Sequence, residues 1–222
     1  MEETKEAKRT NKVYIGDWAE TSESGEAYAR VTEDLRTAKG ALLKFFAAAF
    51  LTSCPPPTDG ERNEGARGRC LDIGCGPGGF TVNHLLPCLP VWCKKVVAVD
   101  NSDSMLQLAR EKQPHPNVEY KHMDIAVDED VARFYANEGC FDMVCSFAAL
   151  HWISDHHQAI RNIEKLVAPG GECFITFAGS MLLFDFFAAL MASPRWTKYS
   201  EHDVKQHSAL GAKLTWIAFR EQ

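Results

Sequence analysis

Residues 69–86 read RCLDIGCGPGGFTVNHLL, and the rest of the chain is arranged around them. Cys70, Leu71 and Ile73 form a short apolar run, and the glycine-rich turn Gly74-Cys75-Gly76-Pro77-Gly78-Gly79 follows it. Phe80, Val82, Leu85 and Leu86 then recur at roughly helical spacing. This predicts a buried strand, a tight turn and a helix. Glycines at 74, 76 and 78 let the backbone approach a ligand where a Cβ would intrude. The N–H groups of the new helix are expected to face that ligand with partial positive charge.

Gly74, Gly76 and Gly79 also satisfy the pattern G-x-G-x-x-G, so the loop alone admits a nicotinamide or an adenosyl cofactor. Asp72, two residues before the first glycine, breaks the tie. A carboxylate there repels a pyrophosphate but suits the amino group of a methionine moiety.

The strand–helix alternation continues. Lys94–Asp100, KKVVAVD, is an apolar run ending in an acid, as in a buried parallel strand. Asp100 follows Gly78 by 22 residues, where an acid in such folds reaches ribose hydroxyls. Asn101 and Ser102 cap a helix bearing Met105, Leu106, Leu108 and Ala109. A third strand starts at Val118, with Asp124 at its carboxyl end and Ile125 just beyond. An acid there can accept from an adenine amino group while Ile125 flanks the ring. Phe141–Phe147 is the fourth strand and Ala148–Trp152 its exit loop. Ser154 or Asp155 caps a helix through Ile160, Ile163, Leu166 and Val167, ending at Ala168-Pro169-Gly170-Gly171. Glu172–Gly179 is the fifth strand. Five such units imply an α/β fold: an open, mostly parallel, Rossmann-like sheet with helices on both faces and a ligand crevice at the strands' carboxyl ends.

The 222 residues suffice for one large domain. We expect a flexible stretch over 1–25 and a single domain over 26–222, with an exposed loop at 54–69 and an acceptor-side segment at 180–222. A helix is predicted from Glu26 to Leu51 by the spacing of Tyr28, Val31, Leu35, Leu42, Phe45 and Phe46. A net charge of −6 argues against nucleic-acid binding. The start MEETKEAKRTNK has no apolar core and no run of about 18 apolar residues occurs, so a cytoplasmic, non-membrane location is expected. Eight cysteines lie mostly in or beside apolar runs. Three pairs share a four-residue gap, yet no histidine stands at zinc-ligand spacing, so reduced structural thiols and no metal are expected.

The ordered set DIGCGPG, VVAVDNS, HMDI, FDMVCSFAALHW and LVAPGGECFITF, covering about residues 70–179, resembles the class I S-adenosylmethionine-dependent methyltransferases. The loop SFAALHW and the stretch MLLFDFFAALMASPRWTKY resemble a narrower group, the arthropod juvenile hormone acid O-methyltransferases. That resemblance implies S-adenosyl-L-methionine as cofactor and a small apolar carboxylic acid, farnesoid or juvenile-hormone-like, as substrate. It implies that Asp72, Gly74, Gly76 and Gly78, with Cys75 among them, hold the methionine end. Asp100, with Asn101 and Met105 beside it, is the ribose side, and Asp124 and Ile125 the adenine side. Ser146 and Phe147 lie beside the methyl donor, and His151 and Trp152 face the acceptor. Trp152, Met181, Leu182, Phe184, Phe186, Phe187 and Trp196 line an isoprenoid pocket or form plain core.

Two departures from the family pattern stand out. A family Gln on the N-terminal helix is replaced by Asp34-Leu35-Arg36-Thr37, leaving Arg36 to attract a carboxylate or simply be solvated. After Gly179 only Leu214–Phe219 reads as a strand, so the carboxyl-terminal edge is expected to be shortened by about two elements, with part of the fifth strand exposed. Monomer or weak homodimer is expected. Two alternatives stay open: the same fold with another small-molecule or protein acceptor, nitrogen included, or a cofactor-binding chain with little activity.

Overall fold

The computed structural model describes residues 68–93 and 95–178, the strand 214–220, and four helical residues, Gly40, Ala41, Leu43 and Lys44. Most of the predicted helix 26–51, the loop 54–67, Arg36 and the segment 181–196 lie outside the described residues.

Five strands alternate with helices: β1 (Arg69–Ile73), β2 (Lys95–Asp100), β3 (Val118–His122), β4 (Phe141–Phe147) and β5 (Val167–Ala178). All five are parallel, and β6 (Leu214–Arg220) adds antiparallel to β5. The order β3-β2-β1-β4-β5-β6 reverses between β1 and β4. Loops leaving the carboxyl ends of those two strands therefore diverge and leave a crevice between them.

The strands read as continuous apolar runs because both faces are covered. Side chains alternate across the sheet. Leu71, Ile73, Val97, Val99 and Val144 face one core, shared with Val131 and Phe134 of α3 (Asp128–Glu138) and Ala159, Ile163 and Leu166 of α4 (His156–Leu166). Cys70, Val96, Met143, Cys145, Phe147 and Phe174 face the other, covered by Phe80, Leu85 and Leu43. Ala98 and Tyr120 meet Leu106 and Ala109 of α2 (Asp103–Lys112). Each valine, leucine, isoleucine, methionine or phenylalanine among them contributes about 1.5–3 kcal/mol on full burial.

Four local differences from the sequence expectation have physical causes. The helix after the glycine loop opens as a π-helical turn, Thr81–Leu85, before the short α1 (Leu86–Cys88). Leu86 N–H reaches back five residues to the Thr81 carbonyl, just ahead of Pro87, which has no N–H to continue the ladder. β3 stops at His122, so Asp124 lies in a turn beyond the strand. α4 ends at Leu166 and β5 begins at once at Val167, five residues earlier than expected. Phe141 pairs with Val167 but Met143 with Glu172, so residues 168–171 bulge out, with Gly170 at φ +73°. Lastly, β6 pairs with β5 from Glu172↔Arg220 to Ala178↔Leu214, which covers the edge expected to be open.

Seven described cysteines are free, and Cys70, Cys75, Cys93, Cys145 and Cys173 are buried. The neighbouring thiols of Cys145 and Cys93, together with burial, push the Cys70 thiol up, so it stays neutral. Among the described residues no cluster of three His, Cys, Asp or Glu side chains is placed to hold a metal, and no helix is long and apolar enough to cross a membrane.

Candidate cofactor and acceptor site

The glycine loop hangs from the end of β2. Gly74 and Cys75 N–H both donate to the Val99 carbonyl (2.8 and 3.0 Å), and Gly76 N–H donates to Asp100 Oδ2 (2.8 Å). Gly78 N–H closes on the Cys75 carbonyl (3.1 Å). These four donors are committed to the loop's own shape rather than to a ligand, which the sequence did not reveal.

Gly74 and Gly78 both have φ +75°, a left-handed conformation that side chains resist. A Cβ at Gly78 would lie 2.5 Å from Tyr120 Oη, whereas a Cβ at Gly76 would meet nothing within 4 Å. Gly78 is thus required by packing beneath the loop. Gly76 leaves open space on the crevice side, where a ligand can approach the backbone.

Asp72 is buried, and its Oδ2 accepts from Thr81 Oγ1 at 2.6 Å. This bond ties the start of the loop to the turn that follows it. Asp100 accepts Gly76 N–H on Oδ2 and Ser102 N–H (3.0 Å) on Oδ1. Burial pushes the Asp100 carboxyl above the ordinary value, against the pull of those two N–H groups and of His122. Ser102, not Asn101, caps α2, its Oγ accepting Met105 N–H. Asn101 is exposed and Met105 buried. Cys75 is buried, and burial first, then Asp100 and Asp72, push its thiol well up.

The turn after β3 lies beside this loop, because Met123 N–H donates to the Asp100 carbonyl (3.1 Å). Asp124 Oδ1 accepts Ala126 N–H (2.8 Å). The Ile125 side chain is buried in the core shared with α3 and α4.

β4 delivers the other wall. Ser146 Oγ donates to the Ile73 carbonyl (3.0 Å), clamping the tip of β4 to that of β1. Phe147 packs against Phe80 (4.7 Å between centroids) and Phe174 (5.7 Å). Ala148 then turns left-handed, φ +54°, with its N–H on the Thr176 carbonyl at 2.6 Å. A 3-10 turn, Leu150–Trp152, carries a buried His151 whose ring lies 5.0 Å from that of half-buried Trp152. His156 Nε2 donates to the Leu150 carbonyl (2.9 Å) and its ring lies 5.4 Å from that of Phe177, which fixes this turn.

The geometry therefore brings Asp72, Gly74, Cys75, Gly76, Gly78 and Asp100 into one loop-and-strand-tip cluster. The turn of Asp124 and Ile125 stands on one side, and Ser146, Phe147, His151 and Trp152 stand on the other. Residues 71–175 match the family described as a methyltransferase domain. Over these residues the chain is therefore similar to a methyltransferase domain. The cofactor that the sequence resemblance implies is S-adenosyl-L-methionine. The donor set fits that group: open space beside Gly76, and an acid at or just past the ends of β1, β2 and β3.

The domain is similar to juvenile hormone acid O-methyltransferase of Bombyx mori, 31% identical over 134 residues, which are 60% of this chain and 46% of that protein. It is also similar to trans-aconitate 2-methyltransferase of Variovorax paradoxus, 37% identical over 103 residues, covering 46% of this chain and 36% of that one. Among solved structures, phosphoethanolamine N-methyltransferase 2 of Haemonchus contortus with S-adenosyl-L-methionine is similar at 20% identity, TM-score 0.47, covering 83% of this chain and 38% of that one. The chain thus spans less than half the length of these two relatives.

Sequence reasoning missed Thr81, Tyr120, Asn162 and His156. Tyr120 and Asn162 act on loops distant in sequence, whereas Thr81 and His156 reach only nine and six residues back, to Asp72 and Leu150.

Proposed function

We propose that this domain transfers the cofactor's methyl group to the carboxylate of a small apolar acid of the farnesoid, juvenile-hormone-like kind. The observation that carries the reading is the placement of the His151–Trp152 turn. The Ala149 side chain just ahead of it packs over Gly74, so the turn stands at the rim of the cofactor loop. Both relatives compared above carry an acid in their names.

In this reading Gly74 to Gly78, with Cys75 and Asp72, hold the methionine end, and Asp100, with Asn101 and Met105 beside it, accepts from the ribose hydroxyls. Asp124 receives the adenine amino group at the Ile125 turn, and Ser146 and Phe147 shape the wall near the methyl. The cofactor supplies an activated sulfonium methyl. A carboxylate acceptor is already ionised at neutral pH, so the protein's part is positioning and exclusion of water rather than base catalysis. His151 orients the acid, and Trp152 offers an apolar, flat surface to its chain.

The test is methyl transfer against a panel of farnesoic acid, a saturated fatty acid, trans-aconitate and a primary amine of matched length. Ester formation on the farnesoid acid above the others is expected. Methylation of the amine alone would overturn the carboxylate reading and favour a nitrogen acceptor.

A further inference from the structure

The turn carrying Asp124 is held from beneath by one buried side chain on α4. Asn162 is fully buried, and its Nδ2 donates to the Ile125 carbonyl at 2.9 Å. Its Oδ1 accepts from Lys165 Nζ (2.9 Å) and Gln158 Nε2 (3.4 Å). Gln158 also bonds Asp128 at the start of α3, and its backbone N–H is capped by Asp155 Oδ1 (2.9 Å).

A buried amide is costly unless both ends find partners, and an apolar side chain of similar volume would fill the space without that demand. What the amide adds is direction. Its N–H fixes where the Ile125 carbonyl sits, and Asp124 is the next residue up the chain. The Asp124 carboxylate is tied into the same turn through Oδ1 and Ala126 N–H, so it moves with Ile125.

We propose that Asn162 is a positioning residue for base recognition. Through the Ile125 carbonyl it sets where Asp124 meets the cofactor's base, and so the preference for adenine over a base lacking the 6-amino group. The inference rests on the reading that Asp124 receives that amino group. Hydrogen bonds weaken steeply as angle and distance drift, so a small shift of the turn affects the amino contact more than the ribose or methionine contacts.

The experiment compares S-adenosylhomocysteine with S-inosylhomocysteine, which carries a carbonyl in place of the amino group, by calorimetry. Wild type, Asp124→Ala, Asn162→Asp, Asn162→Ser and the exposed-site control Glu164→Ala are measured, each with its unfolding midpoint. Asn162→Asp keeps the oxygen that accepts from Lys165 and removes the donor to Ile125; Asn162→Ser serves if it fails to fold. The adenosyl-to-inosyl affinity ratio is expected to fall by at least about fivefold in the Asn162 variants, as for a lost hydrogen bond. It should fall likewise in Asp124→Ala and hold in Glu164→Ala. A purely structural role would weaken both ligands alike and leave the ratio unmoved. An unmoved ratio in the Asn162 variants, with a collapsed one in Asp124→Ala, overturns the role of Asn162 alone. A wild-type ratio in Asp124→Ala overturns the base assignment and this inference with it.

Discussion

Ala149 stands where a side chain on Gly74 would have to go: a Cβ at Gly74 would lie 2.2 Å from the Ala149 Cβ. The glycine loop and the start of the Leu150–Trp152 turn are therefore in direct van der Waals contact. Gly74→Ala should lower stability by more than the roughly 1–2 kcal/mol of its left-handed backbone, since the clash adds to it. Pairing it with Ala149→Gly should recover the clash but not the backbone part. Thermal unfolding of both variants measures the split, and full recovery would show that only the clash matters.

Thr81→Val keeps shape but leaves the buried Asp72 carboxylate without its 2.6 Å donor. A loss of about 1–3 kcal/mol is expected from denaturant unfolding. Thr81→Ser, which keeps the hydroxyl, should restore most of it.

The Asp100 carboxyl is raised above 3.8, chiefly by burial. The folded state therefore holds this proton more tightly than the unfolded chain. Stability from that proton is present at low pH and declines as pH rises from 3.8 through the raised value. In the proposed reading, which places the ribose hydroxyls on Asp100, cofactor binding follows the opposite sign, because a carboxylate that accepts from both hydroxyls must be ionised. Affinity for S-adenosylhomocysteine should fall on acidification before an ordinary carboxylate would protonate. Asp100→Ala should bind weakly and lose that limb of the pH profile; a retained limb would assign it to another group.

His151→Ala and Trp152→Ala should separate binding from turnover. Cofactor affinity is expected to stay within about threefold while kcat/KM for the acceptor falls at least about tenfold, or about 1.4 kcal/mol. Normal turnover in both variants would leave the turn a structural feature only.

Deleting residues 214–222 should uncover the β5 edge that β6 now pairs from Glu172 to Ala178. A lower melting temperature and self-association by light scattering are expected, because an unpaired edge strand templates pairing with another chain. An unchanged, monodisperse variant would mean that β6 contributes little.

Much of this was legible because it is local. Apolar runs ending in Asp72 and Asp100 mark strand tips, and Ser102 and Asp155 cap the helices that follow. The glycine conformations follow from the spacing of 74, 76 and 78. What escaped is set by contacts distant in sequence. Nothing near Tyr120 says that its ring will lie under Gly78, or that Asn162 will reach Ile125. The start of β5 escaped for a related reason: Pro169-Gly170-Gly171 looks like a loop, yet Val167 already pairs with Phe141 across the sheet. The covered β5 edge depended on a pairing between residues 172 and 220 that no periodicity encodes.

That late pairing has a consequence during synthesis. β6 starts thirty-six residues after β5 ends, so a ribosome working at about 5–20 residues per second completes β1 to β5 about 2–7 s before it reaches β6. Over that interval the β5 edge lacks its β6 partner, and an edge strand without its partner can template pairing with another chain. Slowing translation between codons 178 and 214 should thus lower the soluble yield without altering the stability of the molecules that finish folding.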